Sequence, residues 1–221
     1  MSLDTKNGIK VYTPLSLKLY DWWVLNLSNR YAWRCHTQKY LLPHFSNNIG
    51  ENHLDIGVGT GFYPKKAADR IRQISFADLN RHSLSYAKKC LEPHKMRDCI
   101  QQDIFKPFPQ RMENHFDSIS LFYVLHCLPG TMTDKKAAIG NIVPILKNDG
   151  VLYGATILGN GVTHNAFGSK LMKIYNKKGI FNNYHDTMDG LESVLASFFE
   201  QVEIRLEGAV AIFRARGKKI G

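Results

Sequence analysis

The sequence lacks the features that mark membrane, secreted and low-complexity proteins. No stretch approaches the roughly 18 consecutive apolar residues that span a bilayer, and the first residues lack the apolar segment of a secretion signal. Within the 221 residues there is no internal repeat and no low-complexity segment. We therefore expect one globular domain with a single core, located in the cytoplasm and without a membrane span.

Cysteine is scarce, and its spacing is not that of a metal site. The four cysteines lack the paired C-x-x-C spacing of zinc ligands and the density of a disulfide-rich domain. The sequence also contains no recognisable nucleophile triad. We expect reduced, structural thiols, no metal centre and no covalent intermediate on the protein. The cysteines are Cys35, Cys90, Cys99 and Cys127.

Acidic residues are the minority among the charged side chains. The chain has 29 Lys and Arg against 19 Asp and Glu, a formal charge of +10 and an isoelectric point near 9.4. Such a balance raises the question of a nucleic-acid partner. The basic residues fall mainly in scattered pairs, which favours a solvated surface. Attraction of an acidic substrate or an anionic surface is the alternative interpretation.

The most informative feature is the run HLDIGVGTGF, which has the form of a strand ending in a glycine turn that opens a helix. Gly57, Gly59 and Gly61 follow Asp55 at every second position, so a ligand is able to lie directly on the main chain. Phe62 takes the place of the third glycine of the G-x-G-x-x-G of dinucleotide-binding enzymes. A carboxylate at Asp55 suits a cationic group and would repel a phosphate. An ordinary turn between strand and helix is the alternative.

Strands and helices alternate along the middle of the chain, which favours a parallel sheet with helices on both faces. Only Glu207 and Gly208 separate the predicted strands Gln201–Leu206 and Ala209–Ala215, so these two pair as an antiparallel hairpin. The other strands predicted after the glycine run are Ile74–Ala77, Asp98–Gln102, Phe116–Phe122 and Val151–Leu158. The helices predicted between them are Phe62–Arg72, one capped by Asn80, and one capped by Thr133 with Ala137 on its buried face.

Three successive predicted strands end in a carboxylate: Asp55, Asp78 and Asp103. Ligands of open parallel sheets bind outside the carboxyl ends of the strands. Taken singly, an aspartate at such a position is more often a helix cap or a turn residue. Three of them at one edge favour a binding site.

Together, the glycine run and the terminal hairpin resemble the class I S-adenosylmethionine-dependent methyltransferases of small-molecule type. The resemblance implies an α/β fold with a seven-stranded, mostly parallel Rossmann-like sheet and S-adenosyl-L-methionine as cofactor. It also implies that Asp78 accepts the ribose hydroxyls, while Asp103 and the Ile104 main chain hold the adenine. The cofactor-binding residues that it implies are Asp55, Gly57, Gly59, Gly61, Asp78, Leu79, Asp103, Ile104, Phe122, Tyr123, Tyr20 and Arg34.

The loop after the fourth predicted strand, LFYVLHCLP, also resembles the family. The resemblance places Phe122 and Tyr123 beside the methionine part of the cofactor. His126 is the candidate catalytic residue, because a histidine near the sulfonium is able to act as general base. An orienting role for His126 is the alternative.

Aromatic residues crowd the helix-like sequence before the sheet, and segments of this kind cap the cofactor cleft. The pattern of Tyr20, Ser28 and Trp33 followed by Arg34 resembles the N-terminal helices of the quinone-biosynthesis methyltransferases. Tyr20 and Arg34 are then candidates to hold the methionine carboxylate, Arg34 through a bidentate pair. An amphipathic core is an equally weighted alternative.

A long connection between the fifth strand and the hairpin exceeds the usual loop length, and such segments commonly carry function. We interpret it as a substrate lid and divide the single domain into four parts. These are a helical cap (1–48), a cofactor-binding core (49–158), a substrate-lid insertion (159–189), and a C-terminal helix and hairpin (190–221). The lid residues expected to touch the acceptor are Asn165, Phe167, Lys170, Tyr175 and His185.

The expected function is methyl transfer to a small, planar acceptor by in-line displacement, which needs alignment in a dry cleft. An RNA methyltransferase is the first rival because of the charge, but no [DNS]-P-P-[YFW] motif follows the fourth strand. A nicotinamide-dependent oxidoreductase and a non-catalytic nucleotide-binding module are the other rivals. The acceptor, the attacked atom and the oligomeric state stay open.

Overall fold

The computed structural model describes residues 22–219, and the side chains of residues 27–219. Its centre is a seven-stranded sheet. The strands are β1 (Asn52–Ile56), β2 (Gln73–Asp78), β3 (Met96–Gln101), β4 (Phe116–Phe122), β5 (Leu146–Ile157), β6 (Phe199–Glu207) and β7 (Val210–Lys218). Tyr20 lies outside the described residues.

Helices cover both faces of the sheet. A π-helix (Trp22–Ala32), called the N-terminal helix below, leads through a second π-helical segment (Thr37–Leu41) into α1. The α-helices are α1 (Leu42–Asn47), α2 (Phe62–Lys66), α3 (Arg81–Ala87), α4 (Met132–Ile142), α5 (Ala166–Lys177) and α6 (Met188–Ala196). No helix in this described part is both long and apolar enough to cross a membrane.

The strand order is β3-β2-β1-β4-β5-β7-β6, in which β1 to β5 pair in parallel and β7 pairs antiparallel with both β5 and β6. The hairpin turns at Gly208, whose φ of +60° suits glycine. This topology confirms the predicted α/β sheet with its reversed C-terminal hairpin. The reversal of strand order between β1 and β4 leaves a crevice at their carboxyl ends.

The apolar side chains form separate clusters on the two faces of the sheet. On one face, α4 and α6 cover Leu121 and Phe213. On the other, the N-terminal helices and α5 cover an aromatic cluster that includes Trp33, Phe45 and Tyr153. All five of these side chains are buried, so both faces exclude water.

Several predicted boundaries are wrong in detail. Thr131, and not Thr133, caps α4, because the Thr131 hydroxyl and the Asp134 carboxylate form a reciprocal capping box. Ala137 is exposed. Asp55 lies inside β1 and does not follow it. The strand predicted from Val151 begins earlier because residues 146–150 continue the extended chain of β5.

The insertion contains α5 and packs on the N-terminal helix. The Asn165 amide donates to the Tyr31 carbonyl (2.7 Å), and its side-chain oxygen caps α5 through the Gly168 N–H (2.7 Å). The Trp33 ring contacts Phe181, with 6.0 Å between ring centroids. The N-terminal segment and the insertion, which precede and follow the cofactor-binding core in sequence, therefore contact each other.

Candidate active site

A cavity opens at the carboxyl ends of β1, β2, β3 and β4. Residues from these ends and from the loop after β4 line it, together with one residue of the insertion. The predicted cofactor residues in its lining are Gly57, Gly59, Asp78, Leu79, Asp103, Ile104 and Tyr123.

The glycine turn lies against the loop after β4. Gly57 has a φ of +74°, and a Cβ there would lie 2.4 Å from the Cγ2 atom of Val124. At Gly59 a Cβ would meet only the Gly57 carbonyl, at 4.0 Å, so this backbone faces open space in the cavity. Gly61 instead packs on Ala87 of α3 and lies outside the cavity lining. Two glycines thus shape the cavity and the third permits helix packing.

Asp78 ends β2 and presents its carboxylate to the cavity. Its oxygens accept hydrogen bonds from the N–H groups of Asn80 (2.8 Å) and Gly59 (3.3 Å). Burial raises the pKa of Asp78 to about 6, and these hydrogen bonds oppose the rise. The side-chain oxygen of Asn80 in turn accepts from the His82 N–H and caps α3, as predicted. Asp78 is therefore held in place by the turns on both sides of it.

Asp103 follows β3 and also lines the cavity. One of its carboxylate oxygens accepts from the Phe105 N–H at 3.0 Å. The adjacent Ile104 is buried and packs in the main core. The Asn141 amide bonds to the Ile104 carbonyl (3.1 Å), so α4 fixes this turn from behind.

Asp55 lies beneath the glycine turn rather than in the cavity lining. It is 4% exposed, and its Oδ1 accepts a hydrogen bond from the Ser120 hydroxyl at 2.5 Å. Burial, opposed by the Ser120 hydrogen bond and helped by the nearby Asp78, raises the pKa of Asp55 to about 7. A carboxylate in this place titrates near neutral pH.

The loop after β4 begins with a strained residue. Tyr123 has a φ of +61°, and its hydroxyl donates to the Asn29 side chain of the N-terminal helix at 2.8 Å. Positive φ is costly for an aromatic residue and is commonly kept at functional sites. The preceding Phe122 is buried behind the cavity, with its ring centroid 4.6 Å from that of Tyr63.

His126 is buried and does not line the cavity. Its Nδ1 accepts from the Ile157 N–H (3.2 Å), and the Thr156 hydroxyl lies at 3.3 Å. Burial lowers the pKa of His126 to about 3, so the ring is neutral. Its centroid lies 4.4 Å from that of Phe181. A role as general base stays a prediction, while these contacts favour an orienting role.

The structure does not bring Arg34 to the cavity. The side chain is exposed, and the residue lies against Gly208 in the β6–β7 turn, where a Cβ would come within 2.6 Å of the Arg34 Cβ. Arg34 also has a φ of +56°. Its position gives no support for a bond to the methionine carboxylate.

Part of the cavity wall was not predicted from the sequence. Val124, Cys127 and Leu128 come from the loop after β4, in which only the aromatic residues and the histidine of LFYVLHCLP were predicted site residues. Ile180 comes from the insertion, and no local pattern singles it out. The other lining residues not predicted as cofactor ligands are Ile56, Asn80, Ser83 and Gln102.

The sheet topology, the glycine turn and the carboxylates at the strand ends together define a class of protein. A seven-stranded sheet with a reversed terminal hairpin, a glycine turn after β1 and carboxylates after β2 and β3 form the cofactor site of class I methyltransferases. The cavity fits S-adenosylmethionine, because it combines open main chain at Gly59 with the inward carboxylate of Asp78.

Comparison with known proteins agrees with this assignment. A family profile described as "Methyltransferase domain" matches residues 54–154. YbcY of Escherichia coli (strain K12) is 49% identical over 195 residues, which cover 88% of this chain and 100% of YbcY. The physcion biosynthesis cluster O-methyltransferase of Aspergillus chevalieri is 40% identical over 217 residues, 98% of this chain and 97% of that protein.

Among solved structures, the N-methyltransferase NodS from Bradyrhizobium japonicum WM9, in complex with S-adenosyl-L-homocysteine, has the same fold. The TM-score is 0.64 at 17% sequence identity, covering 96% of this chain and 100% of that chain. The chain belongs to the class I S-adenosylmethionine-dependent methyltransferases. It is an enzyme of this family, and its cofactor is S-adenosyl-L-methionine.

Proposed function

We propose that the enzyme transfers the cofactor's methyl group to a hydroxyl oxygen of a small, planar acceptor. Relatives that match almost the whole chain support an O-methyltransferase, since one is named for O-methylation in the physcion biosynthesis cluster and another, from Aspergillus niger, is O-methyltransferase adaD. An N-methyltransferase, vrtF of Penicillium aethiopicum, is 38% identical over 85% of the chain, so transfer to nitrogen is the second candidate.

The observation that carries the proposal is the apolar wall of the cavity beside the loop after β4. Tyr123, Cys127, Leu128 and Ile180 form this wall, and Ile180 is contributed by the insertion. Phe181 is buried against Trp33 and His126, so the insertion is fixed over this side. An apolar wall of this kind beside the cofactor site suits a small planar acceptor, whereas RNA requires an open basic groove with stacking platforms.

The residues of the cavity would hold the cofactor by complementary charge and hydrogen bonding. Asp78 would accept from the ribose hydroxyls, while Asp103 and the Ile104 main chain would bind the adenine. Ionised Asp55 would face the cationic methionine end from below the glycine turn. When bound, the cofactor supplies an electrophilic methyl group on a sulfonium. The protein's own contribution is then alignment and exclusion of water.

We also propose a cytoplasmic location. The four cysteines are free thiols, which fits a reducing compartment. Fractionation of cells that produce the full chain tests this directly, and recovery of the enzyme with secreted or membrane fractions would contradict it.

The acceptor class is tested with radiolabelled S-adenosylmethionine. We expect label in a small-molecule extract and in a panel of planar phenols, with less in the matched aryl amines and none in RNA, DNA or bulk protein. Strong labelling of RNA with a steep salt dependence would overturn the proposal, because counterion release would show direct contacts to phosphates. Preferential labelling of the amines would replace oxygen by nitrogen as the attacked atom.

A further inference from the structure

A buried polar stripe crosses the sheet directly beneath the glycine turn. His53 and Asp55 lie on one face of β1, and Ser118 and Ser120 lie opposite them on β4, with Tyr153 next on β5. Each of these side chains is at most 4% exposed. Most buried polar side chains in proteins are hydrogen-bonded, so the bonding pattern of this stripe carries information.

The contacts form a continuous chain that ends at Asp55. The Gly50 N–H donates to the Ser118 hydroxyl oxygen (2.7 Å), which lies 2.7 Å from His53 Nδ1. His53 Nε2 lies 3.1 Å from the Ser120 hydroxyl, and that hydroxyl lies 2.5 Å from Asp55 Oδ1. A second possible partner of His53 Nδ1, the Ser118 carbonyl, lies at 3.1 Å.

When Asp55 is ionised, its charge sets the direction of the bonds from Asp55 to Ser118. A carboxylate only accepts, so Ser120 must donate its proton to Asp55. The Ser120 oxygen then accepts from His53, which requires the proton of the neutral ring on Nε2. His53 Nδ1 is left bare, and the Ser118 hydroxyl donates to it.

When Asp55 is protonated, the same contacts run in reverse. Asp55 donates to the Ser120 oxygen, and Ser120 donates to His53 Nε2. The ring proton is then on Nδ1, where the Ser118 carbonyl accepts it. The two arrangements differ by one proton in total, which is gained at Asp55, while the ring stays neutral and changes tautomer.

The charged and titratable groups around Asp55 allow the tautomer of His53 to change with the charge of Asp55. Burial lowers the pKa of His53 to about 3, so the ring exchanges tautomers without becoming a cation. Tyr153 faces Asp55 from β5 with a pKa raised well above its ordinary value, and it stays neutral. From α1, His44 contacts Tyr153 and is neutral as well, since burial lowers its pKa to about 4. Asp78 on β2 is the other acid near Asp55 and disfavours its ionisation.

We propose that His53 and Ser120 are positioning residues that hold Asp55 ionised for the cationic amino group of the cofactor, with the tautomer of His53 following the charge of Asp55. The inference rests on the proposed role of Asp55 in facing that end of the cofactor. In this arrangement His53 and Ser120 set the charge of Asp55 without contacting the ligand.

The tautomer is measured by nitrogen NMR on the full chain with ¹⁵N-labelled histidine. The His53 signals are assigned by their loss in His53→Gln. Without ligand, we expect the proton on Nδ1 at pH 5 and on Nε2 at pH 8.5. S-adenosylhomocysteine should move the crossover to lower pH, since its amino group favours ionised Asp55. One unchanged tautomer at every pH, or a charged ring at pH 5, would overturn the proposal.

Ser120→Ala tests the same chain of hydrogen bonds through the affinity for S-adenosylhomocysteine, with Ser75→Ala as matched control. Ser75 is a fully buried serine on β2 whose hydroxyl has no hydrogen-bond partner. Loss of the Ser120 donor raises the pKa of Asp55, and one unit corresponds to about a tenfold loss of affinity below that pKa. By calorimetry, Ser120→Ala should therefore bind S-adenosylhomocysteine about tenfold more weakly at pH 6 and about equally well at pH 8.5.

The outcomes separate this inference from the function on which it rests. Equal affinities of Ser120→Ala and Ser75→Ala at pH 6 would overturn the hydrogen-bond chain. Asp55→Asn is expected to weaken binding at pH 8.5, and a variant that binds normally would overturn the role of Asp55 itself. Failure of the unaltered protein to bind S-adenosylhomocysteine would refute the cofactor site as a whole.

Discussion

At the scale of single residues, Gly57 and Gly161 offer a comparison of two glycines with nearly equal φ angles. Gly57 has a φ of +74° and Gly161 a φ of +73°, so alanine is strained at both. A methyl group at Gly57 would lie 2.4 Å from Val124 in the cavity wall, while at Gly161 no atom lies within 4 Å. Alanine therefore carries a similar backbone strain at both positions, and only at Gly57 does its methyl group also clash with a neighbour.

We expect Gly57→Ala to lower the affinity for S-adenosylhomocysteine at least tenfold, about 1.4 kcal/mol, because Val124 and the turn must move into the cavity. Gly161→Ala should cost about 1 kcal/mol of folding stability and leave the affinity unchanged. Calorimetry and denaturant unfolding measure the two quantities. Equal loss of affinity in both variants would show that backbone strain alone, and not contact with Val124, decides the result.

Whether a site residue could be predicted from the sequence depends on the pattern that indicates it. Asp78 ends β2 and Asp103 lies two residues after β3, so the alternation of strands and helices was enough to predict their place at one sheet edge. Arg34 was assigned by resemblance of a helical segment alone, and the packing of Trp33 and Arg34 on the β6–β7 turn directs its side chain elsewhere. The pairing of His53 with Ser118 and Ser120 depends on strand register, which no local pattern reveals.

At the scale of elements, one buried ion pair joins α4 to the insertion. The Lys135 ammonium lies 2.6 Å from an Asp186 carboxylate oxygen and 2.8 Å from the Asn182 carbonyl, and both charged side chains are at most 1% exposed. The Asn182 N–H donates to the His126 carbonyl, 2.8 Å away. This contact fixes the segment that carries Ile180 into the cavity wall.

Lys135→Met should therefore destabilise the fold by about 3 to 5 kcal/mol, because it leaves the Asp186 charge buried without its partner. Lys136→Met is the matched control: the neighbouring side chain is exposed, and a change within about 0.5 kcal/mol is expected. Hydrogen exchange should rise first at residues 180–186. Equal stability of the two variants in urea would show that the pair does not hold the insertion.

The elements themselves were largely predictable. The strand Phe116–Phe122 has the predicted limits, because apolar residues fill it and turn residues bound it. The cap of α4 was misplaced by two residues since both Thr131 and Thr133 fit the cap preference, and only Thr131 has Asp134 at the reciprocal position. The burial of Lys135 was not predictable, as its partner lies 51 residues away.

At the scale of the whole molecule, buried titratable groups set the dependence of folding on pH. Burial lowers the pKa of His53 and His126 to about 3 and that of His44 to about 4, whereas an unfolded histidine titrates near 6.5. Below pH 6.5 the unfolded chain therefore binds up to three protons that the folded chain excludes, and stability falls as the pH falls. Asp55 and Asp78 act in the opposite direction, since their raised pKa values let the folded chain bind protons between about pH 4 and pH 7.

Three histidines against two aspartates leave a net difference of about one proton between pH 6 and pH 4. We expect the free energy of unfolding to fall by about 1.4 kcal/mol per pH unit over this range. Below about pH 3 the fall should level off, because the folded histidines, with pKa values of about 3 and 4, then bind protons as well. Urea unfolding at pH 7, 6, 5 and 4 measures the slope, and His126→Gln should bring it close to zero between pH 6 and pH 4. A stability that rises on acidification would mean that the histidines are protonated in the folded protein, and that the neutral rings on which the Asp55 chain depends do not exist.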